Sequence, residues 1–344
     1  MKILKFNILV ILTLLISLSV NAERISKRVY KNYPVNAVQK LDISNKYGTI
    51  YIENNRTDSV IVSADIWVEG NSKRVQELLN SINVSVNLSG GTVVAVTSFE
   101  DFNNRNNEFG IDYHVSIPAD RELAVKQMYG NVNMKDLTGN GFFDIKYGGL
   151  NGQKLTSPKL SIQLSYCNGN NIIDEVNDLT LVLRYSGLQL NKGGNLKIED
   201  GYSHFNVGNC KQIDAESRYG TFKIETVNTL IMNSMYSGIT VGKVNKLFKL
   251  ENGYGGVSIK EIPAGFESIT IENKYAGIKL GIAADAAYKL NGKVRYSDIK
   301  HPEGKLNKMR ENTSYEVTGT IGNSDNPKSS VRIDSSYGNV NLIP

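Results

Sequence analysis

Three neighbouring stretches share one pattern: LTLVLRYSGL (179–188), LKIEDGYSHF (196–205) and IDAESRYGTF (213–222). Each places apolar residues six and four positions before a tyrosine and three positions after it, and a small residue directly follows the tyrosine. Their tyrosines are 17 residues apart. A fixed period of this size indicates a repeat architecture, in which each unit packs on its neighbours.

The same plan occurs twelve times. The copies centre on Tyr47, Tyr129, Tyr147, Tyr166, Tyr185, Tyr202, Tyr219, Tyr236, Tyr254, Tyr275, Tyr296 and Tyr337. From Tyr129 to Tyr296 the spacing is 17 to 21 residues without a gap. Eleven of the twelve copies are apolar at each of the three offsets, which ordinary composition does not produce.

An apolar pair separated by one residue is a strand alternation with one buried face. The odd jump from the tyrosine to the next apolar residue requires a bend near the tyrosine. Such a unit is too small for a propeller blade of about 40 residues. We therefore predict an all-β fold, a parallel and right-handed β-helix of 17–21-residue coils, forming a rod on the order of 60 Å long.

Strand alternation also predicts where the repeated polar residues point. It places the tyrosines inward, as an aromatic ladder at the bend, with an exposed row of sugar-binding rings as the alternative. It places outward the acids three before the tyrosine and the cations directly before it, as a solubilising surface of alternating charge. These are Asp144, Glu199, Glu216, Glu251, Glu272 and Asp334, and Lys146, Arg218, Lys274 and Arg295.

The first 22 residues resemble a cleaved signal peptide. Lys2 and Lys5 precede an apolar run from Ile8 to Val20, and small residues stand at the cleavage positions. The run is shorter than a membrane-spanning helix, and no Cys follows it to carry a lipid. We expect a mature chain from about Glu23, without a transmembrane segment, in the periplasm, on the cell surface or in the medium, with a Gram-negative bacterium as its source.

The charge balance shows no sign of a nucleic-acid-binding protein. Removing the two leader lysines leaves 37 basic and 34 acidic residues, so the mature chain is near neutral. No run of Lys and Arg forms a stripe, and we expect no nucleic-acid binding. Residues 23–344 are predicted to form a single β-helix domain.

Two regions depart from the period. Residues 57–125 predict a strand at 58–68, a short helix beginning at Ser72, a hairpin over 83–97 and an Asn-rich loop at 100–108. This part is expected to cover the first coils as an insertion or cap. Residues 302–327 are predicted to be a loop before the last coil.

No constellation of reactive residues emerges from the sequence. Cys167 and Cys210 occupy different slots of the period, which disfavours a disulfide and favours two buried thiols. His114, His204 and His301 fall at unlike positions, which disfavours a metal site. The carboxylates Asp144, Asp174, Asp178, Asp200 and Asp214 show no paired acid and base and are expected on a solvated face. No catalytic, cofactor-binding or metal residue is assigned, and no cofactor is expected.

Three stretches resemble the head-GIN-like auto-transporter adhesin domains, a bacterial β-helix family of unknown function. They are LDISNKYGTIYI (41–52), YHVSIPADRELAVKQMYGNVNM (113–134) and VRIDSSYGNVNL (331–342). The resemblance implies the architecture and an adhesin-like role, and it supplies no catalytic residues. The sequence after Leu342 also offers nothing that could build a translocating barrel.

The function predicted is a non-enzymatic, adhesin-like scaffold that binds a protein or a glycan. A carbohydrate-active or carbohydrate-binding β-helix is one alternative, and an envelope-stress or assembly factor is another. The loops at Asn103–Asn107 and Pro302–Pro327 are the expected contact surfaces, because loops on rigid scaffolds often carry recognition.

Overall fold

A computed structural model describes residues 23–54, 58–70, 72–100 and 107–343. The predicted signal peptide lies outside the described residues. Within them, no helix has the length and apolar character needed to cross a bilayer.

The described chain is built almost entirely of strands. Its N-terminal part comprises β1 (Glu23–Pro34), a 3-10 turn (Val35–Ala37), β2 (Lys40–Lys46), β3 (Ile50–Glu53), β4 (Ser59–Gly70), α1 (Ser72–Ser81), β5 (Ile82–Ser89), β6 (Thr92–Phe99) and β7 (Glu108–Ser116). The coils follow as β8 (Glu122–Met128), β9 (Asn131–Leu137), β10 (Gly141–Lys146), β11 (Gly149–Leu155), β12 (Leu160–Ser165), β13 (Ile172–Arg184), β14 (Gly187–Gly201), β15 (His204–Arg218), β16 (Thr221–Met235), β17 (Gly238–Gly253), β18 (Val257–Ile262), β19 (Ser268–Lys274), β20 (Ile278–Ile282), β21 (Tyr288–Arg295) and β22 (Ile299–Lys300). The C-terminal part comprises β23 (Gly304–Arg310), β24 (Ser314–Ile321), β25 (Ser329–Ser336) and β26 (Val340–Asn341).

Successive coils stack as parallel strands in register, which confirms the predicted parallel β-helix. Leu179 of β13 pairs with Leu196 of β14, and Leu196 pairs with Ile213 of β15. Strands β14 to β17 each run from just after one tyrosine to just before the next. The tyrosine bend therefore separates consecutive strands along this part of the chain.

Apolar residues at the three repeated offsets form the core. Leu179, Leu181 and Leu188, from one coil, are each at most 3% exposed. The equivalent residues of neighbouring coils lie above and below them and join one continuous apolar cluster. Each coil thus buries its apolar face against its neighbours, which a single unit could not do alone.

The N-terminal end is closed by the less regular part of the chain. The predicted strand, helix and hairpin are present as β4, α1 and the pair β5–β6, which turns at Gly90–Gly91. Strand β6 extends the stack from β2, and β7 extends it from β3. Helix α1 packs on β1 and β4, so this part covers the first coil.

The C-terminal end differs from the prediction in two ways. Residues 302–327 are not a loop, because they contain an antiparallel hairpin, β23–β24, whose second strand pairs with β21. The last coil of the sequence is also not last in space. Strand β25 lies between β19 and β21 and pairs in parallel with both. Sequence order fails here because the hairpin returns the chain to the slot between two earlier coils.

Candidate functional site

The twelve repeat tyrosines form a continuous stack along one edge of the rod, here called the tyrosine ridge. Neighbouring ring centroids are 4.7 to 5.1 Å apart, and the ring planes differ by 3 to 13°. In space the order ends with Tyr275, Tyr337 and Tyr296, because the last coil is inserted. The stack follows directly from the register of the strands.

The ridge faces solvent, so the inward assignment was wrong. The eleven rings from Tyr129 to Tyr337 are 43 to 60% exposed, and Tyr47 is half-buried. The physical reason is the backbone: all twelve tyrosines have φ between 49 and 65°. This left-handed conformation interrupts the strand alternation and turns the side chain outward, and it costs about 1–2 kcal/mol for a non-glycine residue.

The residue after each tyrosine occupies a tight slot that is buried in eight of the twelve copies. A Cβ at Gly148 would lie 1.9 Å from the carbonyl oxygen of Gly130. Where serine occupies the slot, its hydroxyl bridges the backbone: Ser186 Oγ donates to the Arg184 carbonyl (2.8 Å) and accepts from the Cys167 amide (3.0 Å). The need for a small or bridging residue here explains the repeated Tyr-Gly and Tyr-Ser pairs.

Stacking determines which part of each tyrosine can meet a ligand. Because each ring face is covered by the next ring, the ridge presents ring edges and hydroxyl groups. Tyr47 at the first end is closed by edge contacts with Phe99 (5.8 Å) and Phe109 (4.9 Å). At the other end Tyr296 is the most exposed ring, at 60%. The ridge is thus suited to hydrogen bonding rather than to stacking a sugar or base on its faces.

A row of buried polar side chains lies directly behind the ridge, two positions before the tyrosines. In the second half of the rod its members are Asp200, Ser217, Ser234, Asn252, Asn273 and Ser335. They bond from coil to coil, for example Ser217 Oγ to Asp200 Oδ2 (2.7 Å) and Asn252 Nδ2 to Asn273 Oδ1 (3.0 Å). Asn252 and Asn273 also donate to carbonyls at the bend (2.7 and 2.8 Å). This polar row therefore fixes the turn that projects each ring.

The five carboxylates considered in the sequence do not converge on one point. Asp178 and Asp214 line a shallow groove of about 830 Å³ on the outer sheet face, together with Asp42 and Glu122. Asp174 lies in a different depression, beside Tyr51. Asp144 is half-buried near Lys146, 3.9 Å away.

Asp200 contradicts the expectation of a solvated face. It is 4% exposed and belongs to the polar row. Burial raises the pKa of its carboxyl, and the hydrogen bond from Ser217 partly opposes that rise. The carboxyl points inward because it stands at an even offset from the apolar residues of its strand.

The two cysteines are buried thiols as predicted, and two of the histidines contact tyrosine side chains. Cys167 and Cys210 are both buried and free, and burial raises the pKa of Cys210 to about 11. His114 stacks on Tyr51 (5.0 Å), and His301 contacts the Tyr315 hydroxyl (3.2 Å). In the described ranges no group of three or more His, Cys, Asp or Glu residues could hold a metal ion.

Of the two expected contact loops, Asn103–Asn107 falls largely outside the described residues. The other, Pro302–Pro327, is the hairpin β23–β24 at the end of the rod. Its strand β23 is mostly exposed, while Tyr315, Val317 and Ile321 of β24 extend the core. This region therefore chiefly covers β21, the strand of the last coil in space.

The predicted acids and cations beside the ridge are exposed or half-buried, so their outward placement is confirmed, but the two rows are unevenly distributed along the rod. The cations directly before the tyrosines also include Lys46 and Arg184, and all positions of that row lie side by side in neighbouring strands. The acids three before the tyrosines are concentrated in the second half of the rod. Sequence inspection missed this because the residues are dispersed along the chain, although the aligned tyrosines place them in one column.

Several solved structures are similar to this chain at very low sequence identity. A putative adhesin from Parabacteroides distasonis is 11% identical, covers 92% of this chain and 97% of its own, and has a TM-score of 0.39. A putative adhesin from Parabacteroides merdae is also 11% identical, covers 92% of this chain and 97% of its own, and has a TM-score of 0.40. A putative lipid binding protein from Parabacteroides distasonis is 10% identical, covers 92% of this chain and 97% of its own, and has a TM-score of 0.35. Scores this low carry no argument about function.

Among curated proteins, none matches this chain. A family model does match, and it covers residues 38–343, which include every repeat tyrosine and the capping strands β4 to β7. Its description is Toastrack DUF4097, a family without an assigned activity. The chain therefore belongs to the Toastrack DUF4097 family.

Proposed function

We propose that this chain is an exported, non-enzymatic binding protein of the adhesin type, and that the tyrosine ridge is its recognition surface. The observation that supports this proposal is the exposure of the ridge: eleven tyrosine rings in one row are 43 to 60% exposed. Large contiguous aromatic surfaces are unusual on monomeric proteins and commonly mark interaction sites. Export rests on the signal-peptide pattern of residues 1–22.

The backbone conformation adds support for a surface role. Glycine would occupy the left-handed position without strain, yet all twelve copies carry tyrosine there. Stacking stabilises each ring pair by about 0.5–1.5 kcal/mol, which is comparable to the cost of the left-handed backbone. Phenylalanine could also supply a ring for stacking, so a row of twelve phenols rather than phenylalanines favours hydrogen bonding to a ligand.

A glycan is the ligand class that fits this surface. Sugars offer many hydroxyl groups, and the ridge presents a repeating line of phenol donors and acceptors at the strand spacing. A rigid scaffold also lowers the entropy lost on binding a long ligand. The envelope-stress and assembly alternative has no comparable feature to support it.

The carbohydrate-active alternative has weaker support. Asp178 and Asp214 share the groove, but they lie two strands and two residues apart, which puts their Cα atoms roughly 12 Å from each other. Glycosidase carboxyl groups are about 5 to 9.5 Å apart. Asp178 also accepts a hydrogen bond from Asn195 Nδ2 (2.8 Å), as expected for a structural carboxylate.

A glycan array tests the proposal. Wild-type protein is compared with two triple variants that keep the rings but remove hydroxyls, Tyr147→Phe/Tyr166→Phe/Tyr185→Phe and Tyr219→Phe/Tyr236→Phe/Tyr254→Phe. Tyr30→Phe/Tyr51→Phe is the control, because both residues are exposed tyrosines outside the ridge.

We expect wild type and control to bind the same glycans and at least one ridge variant to lose them while keeping its melting temperature. Absence of binding to every glycan contradicts the proposal. Equal binding by all four proteins also contradicts it.

A further inference from the structure

The row directly before the tyrosines contains cations and no acids, and all twelve of its positions are described. In spatial order they are Lys46, Met128, Lys146, Ser165, Arg184, Gly201, Arg218, Met235, Gly253, Lys274, Ser336 and Arg295. Over the first seven, every second position is a cation. With strands about 4.8 Å apart, these charges repeat at about 10 Å.

The row three before the tyrosines divides the ridge into two halves of different charge. In the first five coils it reads Ser44, Lys126, Asp144, Gln163 and Val182, and in the next seven Glu199, Glu216, Asn233, Glu251, Glu272, Asp334 and Lys293. Taking both rows together, the first half has four cations and one acid. The second half has four cations and five acids.

Local contacts sharpen this difference. Lys46 Nζ lies over the rings of Tyr47 and Tyr129, at 5.0 and 5.9 Å, which keeps its charge beside the ridge. Lys126 is exposed and forms no ion pair among the described contacts. Lys146 is 3.9 Å from Asp144, a long contact for an exposed pair. Arg184 is instead bonded to Glu199, the first acid of the second half.

The opposite flank of the first half is polar and uncharged. The residues two after the first five tyrosines are Thr49, Asn131, Gly149, Asn168 and Gly187. Asn131 and Asn168 are exposed, and Asn151 Nδ2 donates to Asn133 Oδ1 (3.0 Å) one row further out. A ligand on this half therefore meets ammonium groups on one side, amides on the other and phenol hydroxyls between them.

We propose that the first half of the ridge, from Tyr47 to Tyr185, binds a linear acidic polysaccharide that carries one negative charge in every second sugar. This inference rests on the proposed function and adds the class and location of the ligand. Uncharged residues between the cations place like charges about one Debye length apart, which limits their mutual repulsion. A polymer with alternating acidic and neutral sugars would carry its charges at about the spacing of the cations in the row directly before the tyrosines.

Nucleic acid fits this surface less well. Proteins that bind single strands stack bases on free aromatic faces, and here each face is covered by the neighbouring ring. Each strand of duplex DNA carries a phosphate about every 3.4 Å along the helix axis, which is much denser than the cations of the row. The acidic second half would repel a polyanion that ran along the whole ridge.

Binding of full-length mature protein to hyaluronan oligosaccharides tests the inference, with chitin oligosaccharides as a neutral probe and oligo-dT as a nucleic-acid probe. The test variant is Lys46→Gln/Lys126→Gln/Lys146→Gln. The matched control, Arg218→Gln/Lys274→Gln/Arg295→Gln, removes the same charge from the second half. Melting temperatures verify that both variants remain folded.

We expect hyaluronan to bind wild type with an affinity that falls as salt rises. The test variant should bind at least about tenfold more weakly, with a slope of log affinity against log salt reduced by about 2, and the control should stay within about twofold of wild type. The inference is overturned if chitin or oligo-dT binds wild type as tightly as hyaluronan, or if both variants weaken equally.

These outcomes separate the inference from the proposed function. Ridge-dependent binding of neutral glycans alone overturns the inference and leaves the proposed function standing. Failure of every glycan to bind contradicts both.

Discussion

Asn273 Nδ2 donates a hydrogen bond to the hydroxyl of Ser335, 2.8 Å away and 62 residues later in the chain. Both residues are buried, and Ser335 Oγ in turn donates to the Gly338 carbonyl (2.7 Å). The next strand in the stack, β21, places Val294 at the same position. Ser335 therefore ends the polar row and matches the C-terminal segment to the slot between β19 and β21.

Replacing Ser335 by alanine tests this match. The substitution leaves Asn273 without one acceptor inside the core, and an unsatisfied buried polar group costs about 1–3 kcal/mol. We expect the free energy of unfolding, measured by chemical denaturation, to fall by that amount. Ser336→Ala, at the partly exposed neighbour, should change it by less than about 0.5 kcal/mol.

The order of coils can be tested by engineered disulfides. Thr270 and Arg332 are directly paired outward positions of β19 and β25, and Asn291 of β21 pairs with Arg332 on its other side. Thr270→Cys/Arg332→Cys should oxidise readily, because neighbouring strands are about 4.8 Å apart. Thr270→Cys/Asn291→Cys should not, because two strand spacings exceed disulfide reach. Mass spectrometry under non-reducing conditions distinguishes the pairs, and a bridge in the second variant alone would contradict the inserted position of β25.

Asp200 should make stability depend on pH in a defined direction. Burial raises its pKa above the ordinary value of 3.8, so the folded chain holds this proton to a higher pH than the unfolded chain. The free energy of unfolding then falls as pH rises from about 3.8 through the raised pKa, and the full cost is present at neutral pH.

The variant Asp200→Asn puts an amide in the polar row, as Asn252 and Asn273 do. It should remove the contribution of Asp200 to the fall of unfolding free energy with pH, and it should be more stable than wild type at neutral pH. The exposed Asp214 of the following coil supplies the control Asp214→Asn, with a change under about 0.5 kcal/mol. Denaturant titrations across the acid range provide the measurement. An unchanged slope in Asp200→Asn would show that this carboxyl is not the group responsible.

The left-handed backbone at the ridge predicts that two substitutions of the same tyrosine have very different effects on stability. Tyr219→Phe keeps the ring stacked between Tyr202 and Tyr236 and should change stability by less than about 0.5 kcal/mol. Tyr219→Val loses the stack, worth about 0.5–1.5 kcal/mol per ring pair, and adds a β-branched side chain at positive φ. Thermal melts of the two variants should therefore differ by several degrees, and equal melts would contradict the stacked arrangement.

The repeated offsets predicted the β-helix because they record which residues face the core. Leu179, Leu181 and Leu188 are buried as the alternation requires. The same alternation misplaced the tyrosines, because it assumes extended backbone at every residue. Only the odd jump after the tyrosine signalled a break, and it did not reveal that the break lies at the tyrosine itself.

Two other features depend on contacts distant in sequence. The insertion of β25 follows from a hairpin that returns the chain to an earlier slot, and the residues of β25 match the period equally well at either place. The charge difference between the two halves appears when Lys46, Lys126 and Lys146 are brought side by side by register. Aligning the repeats on their tyrosines reveals this charge difference. A search for consecutive charged residues does not, because these lysines are far apart in the sequence.

Chemical footprinting of tyrosines by nitration and mass spectrometry, with and without a bound glycan, measures whether the tyrosine ridge is the exposed recognition surface. In the free protein, the ridge tyrosines from Tyr129 to Tyr337 should be modified along with the exposed Tyr30 and Tyr51, while the buried Tyr113 and Tyr288 are spared. Bound glycan should protect ridge tyrosines and leave Tyr30 and Tyr51 reactive. Unreactive ridge tyrosines in the free protein, or protection confined to residues outside the ridge, would show that the ridge is not the recognition surface.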